Sequence, residues 1–186
     1  MADQPLGPWK FMGVFMDESP TGCWTNHHSI VEYKGQWYIF YHHNDYSPEF
    51  DKNRSARIDT IGFNPDGTII KVIPTLRGVG NSDARTQIQI DRYSEIAPTA
   101  SIAYLNEANK FDGWKTLFKK SGAWVRYNRV EFGQEPVKQV KFRVLAPKGA
   151  KLEVSIAGGK SIATVNVPRS NNWEIVSAPV KKSPIG

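Results

Sequence analysis

The chain has 186 residues, 40% of them hydrophobic and 23% charged, which is the balance of a soluble globular protein with room for one or two domains. Its 24 Lys and Arg against 18 Asp and Glu give a net charge of +6, but the basic residues form no dense block, which argues against a nucleic-acid partner and for a solvated surface. No apolar run reaches the roughly 18 residues that span a bilayer, Cys23 is the only cysteine and leaves no intrachain disulfide, and Met1 to Pro8 lack a signal-peptide pattern.

The predicted elements are nearly all β. Ser29 to Tyr33 reads as a strand, Lys34-Gly35 as a tight turn, and Gln36 to His42 as the returning strand. The almost continuous apolar run of that second strand predicts burial on both faces, with Trp37, Tyr38, Phe40 and Tyr41 in the core. A polar loop from Asn44 to Ser55 leads to a third strand, Arg57 to Phe63. Asn64-Pro65-Asp66-Gly67 is a turn, with Pro presetting φ, and Thr68 to Ile73 is a fourth strand. Four antiparallel strands around a buried inner hairpin are one blade of a propeller, and a single blade cannot cover its own faces.

Thr75 to Ala84 is richer in Gly, Asn and Ser, and a linker is placed at 77–86. Beyond it the pattern becomes clean alternation: Val140, Phe142 and Val144, then Leu152, Val154 and Ile156, then Val165 and Val167. One buried and one wet face is the signature of an antiparallel sandwich. Trp114 also reads as core.

Two groups of motifs carry a resemblance to known families. Pro5-Leu6-Gly7-Pro8, Trp24-Thr25-Asn26-His27-His28-Ser29-Ile30-Val31, Gln36 to His42 and Asn64 to Ile69 resemble the final blade of glycoside hydrolase family 43. Ile88 to Ser94, Gly122 to Gly133 and Asn171-Asn172-Trp173 resemble a family 6 carbohydrate-binding module. The resemblance implies an all-β protein: the last blade of a five-bladed β-propeller over 1–76, then a β-sandwich jelly roll over 87–186. It implies a parent glycosidase of arabinofuranosidase or xylosidase type, acting on arabinoxylan, xylan or arabinan and secreted or periplasmic. The resembled module continues past Ser183-Pro184-Ile185-Gly186, so the expectation is a truncated module with an unpaired sheet edge.

Glycoside hydrolysis needs two carboxyl groups, one as acid and one as base or nucleophile. By the resemblance these lie on earlier blades. No catalytic residue is therefore assigned among Asp3, Asp17, Glu18, Glu32, Asp45, Glu49, Asp51, Asp59 and Asp66, and the chain alone is expected to be inactive. His27 matches the family's axial histidine, beside a largely water-coordinated calcium. Arg54 is placed at the active-site mouth, and Arg57 less so. A sugar ring offers an apolar C–H face that stacks on an aromatic ring while its hydroxyls bond polar neighbours. The resemblance puts Trp124 and Trp173 in that role, with Asn172 as a polar neighbour; core packing is the alternative for both rings. Gln89 and Asp91 stand where the resembled module carries two acidic residues for a structural calcium. Two other functions stay open: a stand-alone carbohydrate-binding protein, or a structural β-sandwich with no ligand.

Overall fold

A computed structural model describes residues 1–18, 26–44 and 54–186. The strands, in chain order, are β1 (Ser29–Tyr33), β2 (Gln36–His43), β3 (Ser55–Thr60), β4 (Ser82–Asp83), β5 (Glu95–Ile96), β6 (Ala100–Tyr104), β7 (Trp114–Phe118), β8 (Val125–Arg126), β9 (Val130–Glu131), β10 (Gln139–Ala146), β11 (Ala150–Ser155), β12 (Ser161–Val167) and β13 (Ser170–Pro179). One 3-10 turn, Lys110–Asp112, is the only helical segment among the described residues. The protein is thus all-β. The chain forms two compact units, residues 1–80 with 90–127, and residues 81–89 with 128–186.

In the first unit, β1, β2 and β3 form an antiparallel sheet in that order. Tyr33 pairs with Gln36, so the β1–β2 connection is a two-residue hairpin. Lys34 and Gly35 sit at φ 52° and 76°, the positive values that match the twist of the flanking strands. One face of the sheet carries Ile39 and Tyr41, which cluster with Ile61 and Val72 under Phe15, Met16 and Ile69. The opposite face is open. Phe40 is 46% exposed, and Val31 and Tyr33 beside it are exposed as well. The expected burial of β2 on both faces is therefore corrected: Tyr41 is core, Tyr38 is half-buried, and Trp37 is 38% exposed against the edge of Phe63. Strand alternation sends Tyr38 and Phe40 to the opposite face, which is open around Phe40 and closes only over the buried His42 near the end of β2, while Trp37 lies at the exposed end of the Ile39 face.

The expected fourth strand is also corrected. Residues 68–73 make only isolated bridges, Phe63 with Ile69 and Met16 with Val72. The turn before them forms as expected, with Gly67 N–H donating to Asn64 O at 2.9 Å. Further along, β6 and β7 make a hairpin in which Tyr104 stacks on Trp114 at 4.4 Å between ring centroids. Trp114 is half-buried there rather than enclosed. Tyr93, Ala97 and Ala100 are the buried apolar residues of this stretch.

In the second unit, β10 pairs with β13, β11 pairs with β12, and all four are antiparallel in their pairs. Val140, Phe142, Val144 and Ala146 alternate inward along β10, as do Leu152 and Val154 along β11. Ile156, expected to continue that row, lies past the end of β11 and is exposed. The core holds Ile162, Ala163, Val165, Val167 and Ala178. The short strand β4, inside the 77–86 stretch, runs parallel to β9. The Arg85 guanidinium donates to the carbonyls of Phe132 and Glu135 and crosses the position a Cβ would take at Gly133, whose φ of 68° suits glycine.

Val165 is 0% exposed whereas Ile175 is 75% exposed. Val165→Ala is expected to lower the unfolding free energy by about 2–3 kcal/mol through lost transfer energy and an unfilled cavity. Ile175→Ala is expected to stay within about 0.5 kcal/mol. Urea denaturation of both variants measures the difference, and equal losses would contradict the assigned faces.

Candidate functional site

The first unit holds a buried polar network that fixes a loop to β3. The Tyr41 hydroxyl donates to Asp59 Oδ2 at 2.5 Å. The same carboxylate accepts Thr75 N–H at 3.0 Å and the Thr75 hydroxyl at 2.5 Å. Gly78 N–H donates to Thr75 Oγ1 at 3.0 Å, and Arg57 Nη1 donates to Leu76 O at 2.7 Å. Asp59 is buried. Its burial follows from register: Asp59 lies opposite Ile39 on the covered face of the sheet. Burial pushes the Tyr41 phenol well above its ordinary range, and the hydrogen bond and charge of Asp59 push it the same way. Arg57 is likewise buried, holding the Leu76 carbonyl rather than reaching toward a ligand.

At one end of the sheet, around the start of β1 and the end of β2, His27, His28, Ser29, Phe40, Tyr41, His42, Arg54 and Ala56 line an open concavity of about 340 Å³. His27 and Arg54 are thus brought together. His27 N–H donates to His42 Nε2 at 3.1 Å, and their rings meet edge to face at 5.5 Å. Burial, helped by Arg54 and then by the neighbouring histidines, holds His42 below the usual imidazole range and favours the neutral acceptor form. His42 is the member of this group that sequence reasoning passed over; its alternation with Phe40 along β2 was the available signal. Trp24 and Thr25 of the same motif, and Asp45, Glu49 and Asp51, lie outside the described residues.

The two tryptophans are both exposed, Trp124 by 43% and Trp173 by 38%, so neither is packed as core. Trp124 belongs to the first unit and Trp173 to the second. The Arg126 guanidinium lies 5.4 Å from the Trp124 ring centroid, and its Nη1 donates to both Glu95 carboxylate oxygens at 2.9 Å. Trp173 opens the outward row of β13, and Arg143 of β10 lies 5.3 Å from its ring centroid. Asn172 is exposed, and its N–H donates to Ser170 Oγ at 3.0 Å. Arg126 stands two residues after Trp124 along the chain, whereas Arg143 reaches Trp173 across the β10–β13 pair.

Gln89 is exposed and Asp91 is half-buried. Among the described residues no three His, Cys, Asp or Glu side chains gather as a metal site. A calcium ion takes about six to eight oxygens, so one amide and one carboxylate do not fit it without many more donors.

Comparison with known proteins places these features in context. The sequence family described as carbohydrate binding module (family 6) matches residues 82–184. A beta-xylosidase of Xylanibacter ruminicola is 41% identical over 71 residues, which is 37% of this chain and 21% of that protein. A xylosidase/arabinosidase of Bacteroides ovatus is 40% identical over 72 residues, 38% of this chain and 21% of that protein. An arabinoxylan arabinofuranohydrolase of Paenibacillus polymyxa is 22% identical across 94% of this chain and 29% of its own length. The chain therefore spans less than a third of each of these relatives. The crystal structure of a glycoside hydrolase family 43 arabinoxylan arabinofuranohydrolase from Bacillus subtilis, in complex with cellotetraose, is similar in fold with a TM-score of 0.59, at 22% identity, over 98% of this chain and 40% of that one.

The raised phenol of Tyr41 has a consequence at high pH. The folded state holds Tyr41 neutral, while the unfolded chain ionises it above about pH 10. Its contribution to stability is full below that pH and lost as pH rises beyond it. Urea midpoints of the wild type are expected to fall more steeply between pH 9.5 and 11 than those of Tyr41→Phe; parallel pH profiles would show that Asp59 does not hold a neutral phenol.

Proposed function

Because the chain belongs, over residues 82–184, to the carbohydrate binding module family 6, we propose that it binds plant cell-wall saccharide on exposed tryptophans as part of a glycoside hydrolase. The observation that carries this reading is the exposure of Trp124 and Trp173, each with an arginine against its ring. A large aromatic ring left in water costs free energy that a stacked sugar face returns. Each tryptophan serves as its own platform, with Asn172 able to donate to a hydroxyl near Trp173.

The wider enzyme, on this reading, hydrolyses arabinoxylan, xylan or arabinan as an arabinofuranosidase or xylosidase of glycoside hydrolase family 43, outside the cytoplasm where its polymer is found. The two relatives near 40% identity and the fold likeness support this. We take β1, β2 and β3 as belonging to the last blade of a five-bladed propeller, and residues 87–186 as a jelly roll, with the junction at 77–86. The open second face of the β1–β3 sheet supports the blade, since a blade is covered by its neighbours. The start of the family match at residue 82 supports the junction.

In this scheme His27 and Arg54 help wall the mouth of the sugar-cleaving site, with His42 holding the His27 backbone in place. None of this chain's carboxylates is assigned to bond cleavage. Asp59, the buried acid among the described residues, spends both oxygens on Tyr41 and Thr75. Calcium is given no step, since Gln89 and Asp91 would leave about four or more coordination positions to other oxygens.

The test is retention on an affinity gel containing arabinoxylan. Trp124→Ala and Trp173→Ala are each expected to weaken binding about fivefold, equal to about 1 kcal/mol of stacking. A double variant retained like the wild type ends this reading.

A further inference from the structure

The chain's positive charge is not evenly shared. Residues 138–186, all in the second unit, hold nine Lys and Arg against two Asp and Glu, while the preceding 137 residues hold fifteen against sixteen. Residues 138–186 thus carry +7 and the rest of the chain −1, which together make the net +6. The outward face of the β10–β13 pair presents Lys141, Arg143 and Leu145 from one strand and Trp173 and Ile175 from the other, all exposed.

The two tryptophan sites differ in the state of their arginines. At Trp124 the guanidinium of Arg126 is already paired with Glu95. At Trp173 the guanidinium of Arg143 lies by the ring, and no carboxylate pairs with it among the described residues. Two residues before it on the same face, Lys141 adds a second positive charge.

We propose that the Trp173 face is selective for acidic saccharides, that is, for pyranose units bearing a carboxylate such as the uronic acids. The inference rests on Trp173 acting as a sugar platform. A hexuronate has its apolar C–H face for the indole and a carboxylate projecting sideways from C5, where a guanidinium beside the ring receives it. Arginine suits this role because its planar fork binds both carboxylate oxygens while still lying against an aromatic ring. A neutral pentose or hexose stacks on the same ring but offers Arg143 only hydroxyl oxygens, weaker acceptors than a carboxylate. The Trp124 site, with its arginine neutralised by Glu95, takes neutral and acidic sugars alike.

The experiment uses the full chain and two polymers, glucuronoxylan and the same glucuronoxylan with its carboxyl groups reduced to alcohols. Affinity electrophoresis at low salt is expected to show at least tenfold tighter binding of the acidic polymer. In Arg143→Gln the ratio of affinities for the acidic and reduced polymers is expected to fall to within twofold of one. Equal binding of the two polymers by the wild type overturns the proposal. So does a preference that survives Arg143→Gln, which would assign it to the scattered lysines. Comparable, Arg143-dependent binding of a single-stranded oligonucleotide, a polyanion with no pyranose face, also overturns it. Trp173→Ala separates the two levels of argument: if it weakens both polymers while the wild type treats them equally, the platform stands and only the acidic selectivity falls. If it weakens neither, the platform itself falls and the selectivity with it.

Discussion

Successive side chains of a β-strand point to opposite sides of its sheet, so a sheet covered on one face sends every second residue to water. That constraint organises both units. In the first it puts Ile39, Tyr41 and Asp59 under one cover and leaves Val31, Tyr33 and Phe40 facing out. In the second it sends Val140, Phe142 and Val144 to the core, and Arg143, Trp173 and Ile175 to the surface. The functional surfaces are what the covering layers leave over.

The covered face of the first unit accommodates a carboxylate because every demand of that carboxylate is met. A buried charge without partners costs several kcal/mol, whereas one that accepts three hydrogen bonds is tolerated and becomes a fixed point. Asp59 ties the strand to Thr75, and Arg57 ties it to Leu76, so residues 75–78 are held against β3. The concavity that holds His27, His42 and Arg54 is walled by the same three-stranded sheet. Within it, His42 fixes the His27 backbone by accepting its N–H.

Positive charge concentrates in the second unit, where Trp173 is exposed. A surface rich in lysine and arginine is ordinarily read as a solubility device, and an exposed tryptophan as an isolated accident of the surface. Found together on one sheet face, with an arginine against the indole, they describe a surface complementary to a flat, apolar and anionic ring. Glu95 pairs with Arg126 beside Trp124, whereas Arg143 lies by Trp173, so the two exposed rings differ in the charge that faces them.

The hairpin at Lys34-Gly35, the turn at Asn64 to Gly67 and the inward rows of β10 and β11 were legible in the sequence, because turn chemistry and period-two patterning act over a few neighbouring residues. The same local signals misread β2 as buried on both faces and extended residues 68–73 into a full strand, since apolar composition does not say whether a covering layer is present. Trp124 and Trp173 were legible as candidate platforms with core packing as the alternative, and Asp59 was not legible as a buried anchor. Those outcomes, and the pairing of Arg143 with Trp173, depend on which strand lies beside which. The sequence by itself determined strand content, turns and family motifs; only the tertiary structure decided burial, ion pairing and the neighbours of each aromatic ring, because these are set by contacts between residues far apart along the chain.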